Sequence, residues 1–435
     1  MRRSALVLSV AAALAVPGLA LAVEGNLDPS FSGDGKVLTS ISEGVSANGV
    51  AIDSQGRIVA AGVSYGGDVV VTRYLPDGRL DPSFSGDGKI LFSFAGGSNA
   101  RAVAIDSRNR VIVAGKNTAI GQSRTSDFGV ARLTPRGQLD PSFSGDGRVV
   151  THVGGDISKD EANSVAIDPA GRIVAAGASR VGGQTGFALV RYRPNGALDP
   201  SFSGDGKART VFGAHSTDVA NSVAIDSAGR IVAAGTSRDF SAPDGDKYRS
   251  GVVRYLPGGN LDSAFSGDGR QLVAYHDEQL DLEAVATDDR NRVVLAGTDG
   301  FIGQNNYFAA MRLRPNGALD PSFATDGKEA TAFPGGFANS VAIDPNGRIV
   351  VAGWNDAPAH SGGGDIDVFF AIARYTPRGA LDPSFSGDGQ ARTSFGDGWA
   401  QANSVTTDSL GRIVAAGWAE GPSGQRFALA RYLSH

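Results

Sequence analysis

The chain has no cysteine, and only two methionines, three tryptophans and five histidines in 435 residues. Without cysteine, a disulfide framework, thiolate metal sites and a thiol nucleophile are all excluded. Neither sign of charge dominates: 40 basic and 45 acidic residues leave a formal −5. The basic residues are scattered rather than gathered into a stripe, so nucleic acid is not an expected partner. After the first residues no run of about eighteen apolar residues occurs, so no membrane-spanning helix is expected there. The histidines are His152, His215, His276, His360 and His435, none with a partner at metal-ligand spacing. No Gly-x-Ser-x-Gly follows a strand and opens a helix, so no catalytic residue is assigned. Glycine, by contrast, is abundant: 61 residues, about twice ordinary usage, which suits many tight turns between short strands.

The first residues stand apart. Arg2 and Arg3 precede an apolar stretch from Ala5 to Ala22 that ends in Ala20-Leu21-Ala22. A basic start, an apolar core and an A-x-A site predict a cleaved secretory signal over 1–22 and an exported protein, periplasmic or extracellular. An uncleaved anchor is the competing reading, and the missing cysteine after the site argues against lipid attachment. Removing Arg2 and Arg3 takes the formal charge from −5 to −7. An exported chain without disulfides depends on core burial for its stability.

Leu-Asp-Pro-Ser-Phe-Ser-Gly-Asp-Gly begins at Leu27 and returns, with small changes, at Leu80, Leu139, Leu198, Leu261, Leu319 and Leu381. A recurrence of this kind marks a repeat architecture. Within the third unit, Ser164–Asp168 and Arg172–Gly177 flank a Pro-Ala-Gly turn and read as a hairpin. A polar, glycine-rich stretch, Ala178 to Gly186, follows as a loop, and Phe187–Tyr192 and Lys207–Phe212 supply two more strands. The four strands of each unit are called A to D. No segment between them is long and periodic enough for a crossover helix. Short consecutive strands apolar on both alternations require sheets stacked face to face, which predicts an all-β, seven-bladed β-propeller of four-stranded antiparallel blades.

Counting strands predicts how the ring closes. The seventh unit stops after strand C, whereas a spare D-type strand, Lys36–Ile41, precedes the first strand A. That strand is expected to complete the C-terminal blade and remove an exposed sheet edge. The propeller is expected over 23–435, with blades near 43–97, 98–157, 158–216, 217–277, 278–335, 336–396, and 397–435 joined to 27–42. An open solenoid, the competing fold, would need polar capping units that the ends do not show.

These units resemble the delta-60 repeat, a bacterial β-propeller repeat with an AID-x-x-GRIVVAG strand pair, an ALARY strand and an LDxSFGxDG turn. The clearest matches are Val165–Gly177 with Phe187–Tyr192, and Val341–Gly353 with Ala371–Tyr375. The resemblance runs from Leu27 to Leu433 and departs at Ser263-Ala264 and Ala324-Thr325. It implies a secreted or surface protein of unknown biochemical role and brings no catalytic residues.

Repeated residues are expected to serve the scaffold. The seven strand-A aspartates, Asp53 to Asp408, should accept turn N–H groups. The seven strand-C arginines, Arg73 to Arg431, should pair with those aspartates or with the carboxylates of the D turn. Asp28 and Asp34 offer oxygens of the kind calcium prefers, but their spacing is not that of a familiar calcium loop. Asp-Gly also makes tight turns, and the turn reading is preferred, so no cofactor is expected.

Function is expected where the units differ. Chain reversal places the B–C and D–A connections on one face, and the B–C loops vary most, so that face is the candidate functional face. Trp354 and Trp418 follow strand B and Trp399 lies in a D–A loop, so topology predicts all three there, as a stacking patch or as caps on blade interfaces. The strand-A entry positions, Asn48, Arg101, Asn163, Asn221, Glu283, Asn339 and Asn403, predict a polar ring at the channel mouth. The amides are expected to tie blades together, and Arg101 and Glu283, as exceptions, are candidate ligand-binding residues. The composition and pattern point to an exported, monomeric, non-enzymatic scaffold binding glycan or protein. The alternative is an exported polysaccharide lyase or hydrolase, for which Glu283, Asp281, Asp160 and Glu161 are the nearby carboxylates.

Overall fold

The computed structural model describes residues 26–41, 44–118, 125–154, 159–239, 247–274, 280–300, 306–331, 333, 335–358, 366–396, 398–422 and 424–434. The expected signal segment lies outside them, as do His276, His360, His435 and parts of the long B–C loops of the fourth and sixth blades. Among the described residues there are 28 strands and no helix. They form seven four-stranded sheets, six of them in simple sequence order and all with antiparallel neighbours. The fold is a seven-bladed β-propeller, and each sheet is one blade.

The seventh sheet is assembled from both ends of the chain. Lys36–Thr39 pairs antiparallel with Arg426–Tyr432, with Lys36 opposite Ala430 and Thr39 opposite Phe427. Strands Ile413–Ala419 and Ala400–Thr407 complete it. The first copy of the repeated motif adds a side-chain lock to this ladder. Asp28 Oδ2 accepts from Arg431 Nε at 2.8 Å, and the Asp28 N–H donates to the Arg431 carbonyl.

The same lock recurs within every other blade and decides between the two expected pairings. Each strand-C arginine gives its Nε to the motif aspartate at 2.8–2.9 Å, as in Arg73–Asp81 and Arg374–Asp382, and not to the strand-A aspartate. The strand-A aspartates instead hold the arginine four residues on, at 2.5–2.6 Å, and accept the turn N–H groups with their other oxygen. In six blades the strand-C arginine also donates to a proline carbonyl of the next blade: Arg73 to Pro135 at 2.5 Å, Arg312 to Pro377 at 2.6 Å, and Arg132, Arg191, Arg254 and Arg431 to their equivalents. The guanidinium lies over the motif phenylalanine, 4.6 Å from the centroid in Arg73–Phe84. These arginines are buried, and such charges are stable only when paired and fully hydrogen-bonded. The motif is therefore a receptor for one buried arginine, and Asp28 and Asp34 both spend oxygens on it or on nearby turn N–H groups.

The apolar core lies between blades rather than within them. Val174, Ala176 and Leu189 of the third blade pack with Val223, Ile231 and Ala233 of the fourth, and Phe202 of the motif sits among them. Tyrosines at the ends of strand C bolt neighbouring blades, as where Tyr192 donates to Thr151 at 2.7 Å. In the second and fifth blades Leu133 and Leu313 stand at that position.

Two local expectations are corrected. The loop expected over Ala178–Gly186 is a continued hairpin, Ile173–Val181 with Gln184–Tyr192, closed by Gly182-Gly183. Both glycines have positive φ, 60° and 88°, the backbone a two-residue hairpin turn requires. Strand D stops at Thr210 instead of Phe212, because the Phe212 N–H turns away to Asp218 Oδ2 at 3.0 Å.

Candidate functional site

Strand A lines the central channel, and its register slips once in every blade. The unpaired residue is Asn48, Arg101, Asn163, Asn221, Glu283, Asn339 or Asn403 in turn. A β-bulge of this kind turns its residue out of the ladder. Glycine in strand B makes room for it. A Cβ on Gly62 would overlap the Ser46 carbonyl oxygen, and Gly115, Gly177, Gly235, Gly297, Gly353 and Gly417 meet the same obstacle. The glycine of each VAAG-type strand is therefore a channel-shaping residue.

All seven bulge residues line one cavity of about 660 Å3 at the channel mouth. Five amides tie the ring together. Asn48 Nδ2 donates to the Ala100 carbonyl at 2.7 Å, Asn163 to Ala220 at 3.0 Å, Asn221 to Leu282 at 2.9 Å, Asn339 to Ala402 at 2.8 Å and Asn403 to Ala47 at 2.9 Å. Each bond crosses to the carbonyl just before the next blade's bulge. The two positions that break the cycle are Arg101 and Glu283. Neither makes a hydrogen bond or ion pair with another described residue.

The electrostatics of the cavity follow from these two departures. Arg101 is exposed to the channel. Burial pushes the Glu283 carboxyl up to about 7, Asp281 adds to the rise, and Arg101 opposes it. Burial raises Asp281 as well. Glu161, also on the wall, is 3.8 Å from Lys116. Among the described residues the mouth thus holds one available cation, Arg101, a carboxyl raised to about 7, and a ring of amides.

The tryptophans are distributed rather than joined. Trp354 lines the channel and stacks on Phe337, with centroids 4.2 Å apart and planes 16° from parallel. Trp399 is 48% exposed, and its backbone N–H donates to Glu420 Oε2 at 3.3 Å. Trp418 is half-buried, in register with Gln401 and Phe427. Among the described residues no ring contact joins any two of them. Of the expected site residues, the structure brings together Arg101, Glu283 and Trp354.

One cluster escaped the sequence. Asp127, His152 and Asp160 converge where the second and third blades meet, with one ligand atom from each within 4.8 Å of the others. His152 Nδ1 lies 2.8 Å from Asp127 Oδ1 and 3.6 Å from Asp160 Oδ2. Asp160 Oδ2 also accepts the Val153 and Gly154 N–H groups, at 2.7 and 3.0 Å. Asp218 does the same for Phe212 in the next blade, so this carboxylate fastens a D–A loop. A further signal lay in the A–B turns. Ser-Arg-Asn-Arg (107–110) and Asp-Arg-Asn-Arg (289–292) mark the second and fifth blades, the same two whose bulge is not asparagine.

The sequence matches a family model described as "Domain of unknown function (DUF5122) beta-propeller" over residues 54–84, 109–143, 169–202, 229–265, 291–323 and 345–385. Each matched segment runs from the A–B turn, or close to it, to the motif phenylalanine. No curated protein matches the sequence. Among solved structures the chain is similar to a protein of unknown function from Dyadobacter fermentans, at 12% identity over 92% of this chain and 98% of that one, with a TM-score of 0.46. It is also similar to the polysaccharide lyase Uly1, at 10% identity over 91% of each chain and a TM-score of 0.48. A PL25 ulvan lyase bound to -[GlcA(1-4)Rha3S]- covers 90% of this chain and 95% of its own at 9% identity, TM-score 0.48. These likenesses concern the fold alone. With six matched units and a seventh divided between its two ends, the chain is a β-propeller repeat protein.

Proposed function

We propose that this is an exported, monomeric, non-enzymatic binding propeller that receives a glycan or protein ligand on the B–C/D–A face, at the channel mouth. The observation that carries the reading is the broken cycle of amide ties. Five blades use asparagine to fasten the ring, whereas two place Arg101 and Glu283 there and forgo the bond. A charged group held in a cavity without a structural partner is what a binding site uses to orient a polar ligand. Trp354 on the same wall supplies an aromatic face for a sugar ring.

A second reading has one observation in its favour. A carboxyl near 7 beside a second carboxyl suits general acid–base chemistry, which would make the channel mouth the site of an exported lyase or hydrolase. A glycan array on the protein, with Arg101→Ala and Trp354→Ala as controls, tests the binding reading. Glycans retained equally by both variants would refute it, and depolymerisation of a bound glycan would favour the enzyme.

A further inference from the structure

We propose that the channel mouth is a receptor for a carboxylate-bearing sugar, with Arg101 holding the carboxylate and Trp354 the ring face. The inference rests on the binding reading above and names its ligand class.

Arg101 is the starting point. The strand-C arginines and the arginine four residues after each strand-A aspartate are all bound to an aspartate, whereas Arg101 projects into the cavity with no ion pair or hydrogen bond among the described residues. A guanidinium presents paired N–H groups that match a carboxylate in two-point geometry. The nearby acids do not cancel it. Glu161 faces Lys116. Glu283, faced by Asp281 on its own strand and by Arg101 from the second blade, keeps its proton over much of the acid range. The Nδ2 groups of Asn163, Asn221 and Asn339 are committed to carbonyls, which leaves their Oδ1 atoms as acceptors for ligand hydroxyls. Trp354 is held flat by Phe337 and borders the same cavity. At about 660 Å3 the space suits a small saccharide.

The arrangement also links binding to proton uptake. An anion placed beside Glu283 disfavours its charged form, so affinity falls as pH rises through about 7. Titration calorimetry of the full chain with galacturonate, galactose and succinate at pH 5.5 and 8 tests this. Galacturonate is expected to bind about tenfold or more tightly than galactose at pH 5.5, as a charge-assisted hydrogen bond implies. R101Q should abolish that preference while leaving the melting temperature unchanged, and E283Q should flatten the pH dependence. Galactose or succinate binding as tightly as galacturonate overturns the inference, as does a preference that survives R101Q. Binding of neutral sugars alone overturns it while leaving the binding reading intact, and no sugar binding overturns it together with the glycan form of that reading.

Discussion

Glu283→Asn removes a carboxyl from the channel wall and supplies the amide that five other blades carry. The carboxyl is held at about 7 against an ordinary 4.5. The folded state therefore keeps the proton after the unfolded chain has lost it. Stability falls as pH rises from about 4.5 to about 7 and is level above that. At roughly 1.4 kcal/mol per pH unit the full penalty is about 3 kcal/mol, most of which develops between pH 5 and pH 8. The variant escapes it and can add one inter-blade hydrogen bond to the Ala338 carbonyl, worth about 1 kcal/mol. With an unfolding entropy of about 2 cal/mol/K per residue over 435 residues, a change of 2–3 kcal/mol moves the melting temperature by about 3 °C. Thermal melts of both proteins from pH 5 to pH 8 should show the variant more stable throughout, with its lead widening by about 3 °C. A lead that stays constant or shrinks as pH rises would refute the account of Glu283 as a protonated wall residue. A widening lead would also mean that this chain keeps a destabilising group at its channel mouth.

Asp28→Ala should cost about 3–5 kcal/mol, because it leaves the buried Arg431 guanidinium without its carboxylate. Chemical denaturation measures this, and a loss below 1 kcal/mol would show that the clasp does not depend on the ion pair. Deleting residues 26–41 should expose the edge of Arg426–Tyr432 and produce association, visible by size-exclusion chromatography. Gly353→Ala should cost about 1–3 kcal/mol through overlap with the Phe337 carbonyl and disturb the adjacent Trp354, read by denaturation and tryptophan fluorescence.

The blade count and the split seventh blade were legible because the repeated motif and the apolar strands can be counted along the chain. The ring at the channel mouth was legible too, since the entry residue of strand A recurs at a fixed place in each unit. The bulge that turns that residue inward has one mark in the sequence, the opposing glycine in strand B of each blade, whose meaning depends on the pairing register. Pairing of the strand-C arginines stayed open because two aspartates per unit lie within reach in sequence, and only the fold aims the guanidinium at one of them. Asp127, His152 and Asp160 stand 25 and 8 residues apart, in segments that adjoin only after two blades pack. The tryptophans all fall in the last two blades, yet of the three only Trp354 lines the channel.

By itself, then, the sequence determined the architecture: seven units, four short strands in each, and a ring closed by joining its ends. Those features depend on local turn chemistry and on a period that any copy repeats, so they survive being read one residue at a time. Which charges meet at the axis was decided by the tertiary structure alone. Arg101 and Glu283 are 182 positions apart, and only closure of the ring sets them in one cavity, where burial and a neighbouring carboxylate raise Glu283 and Arg101 faces the channel.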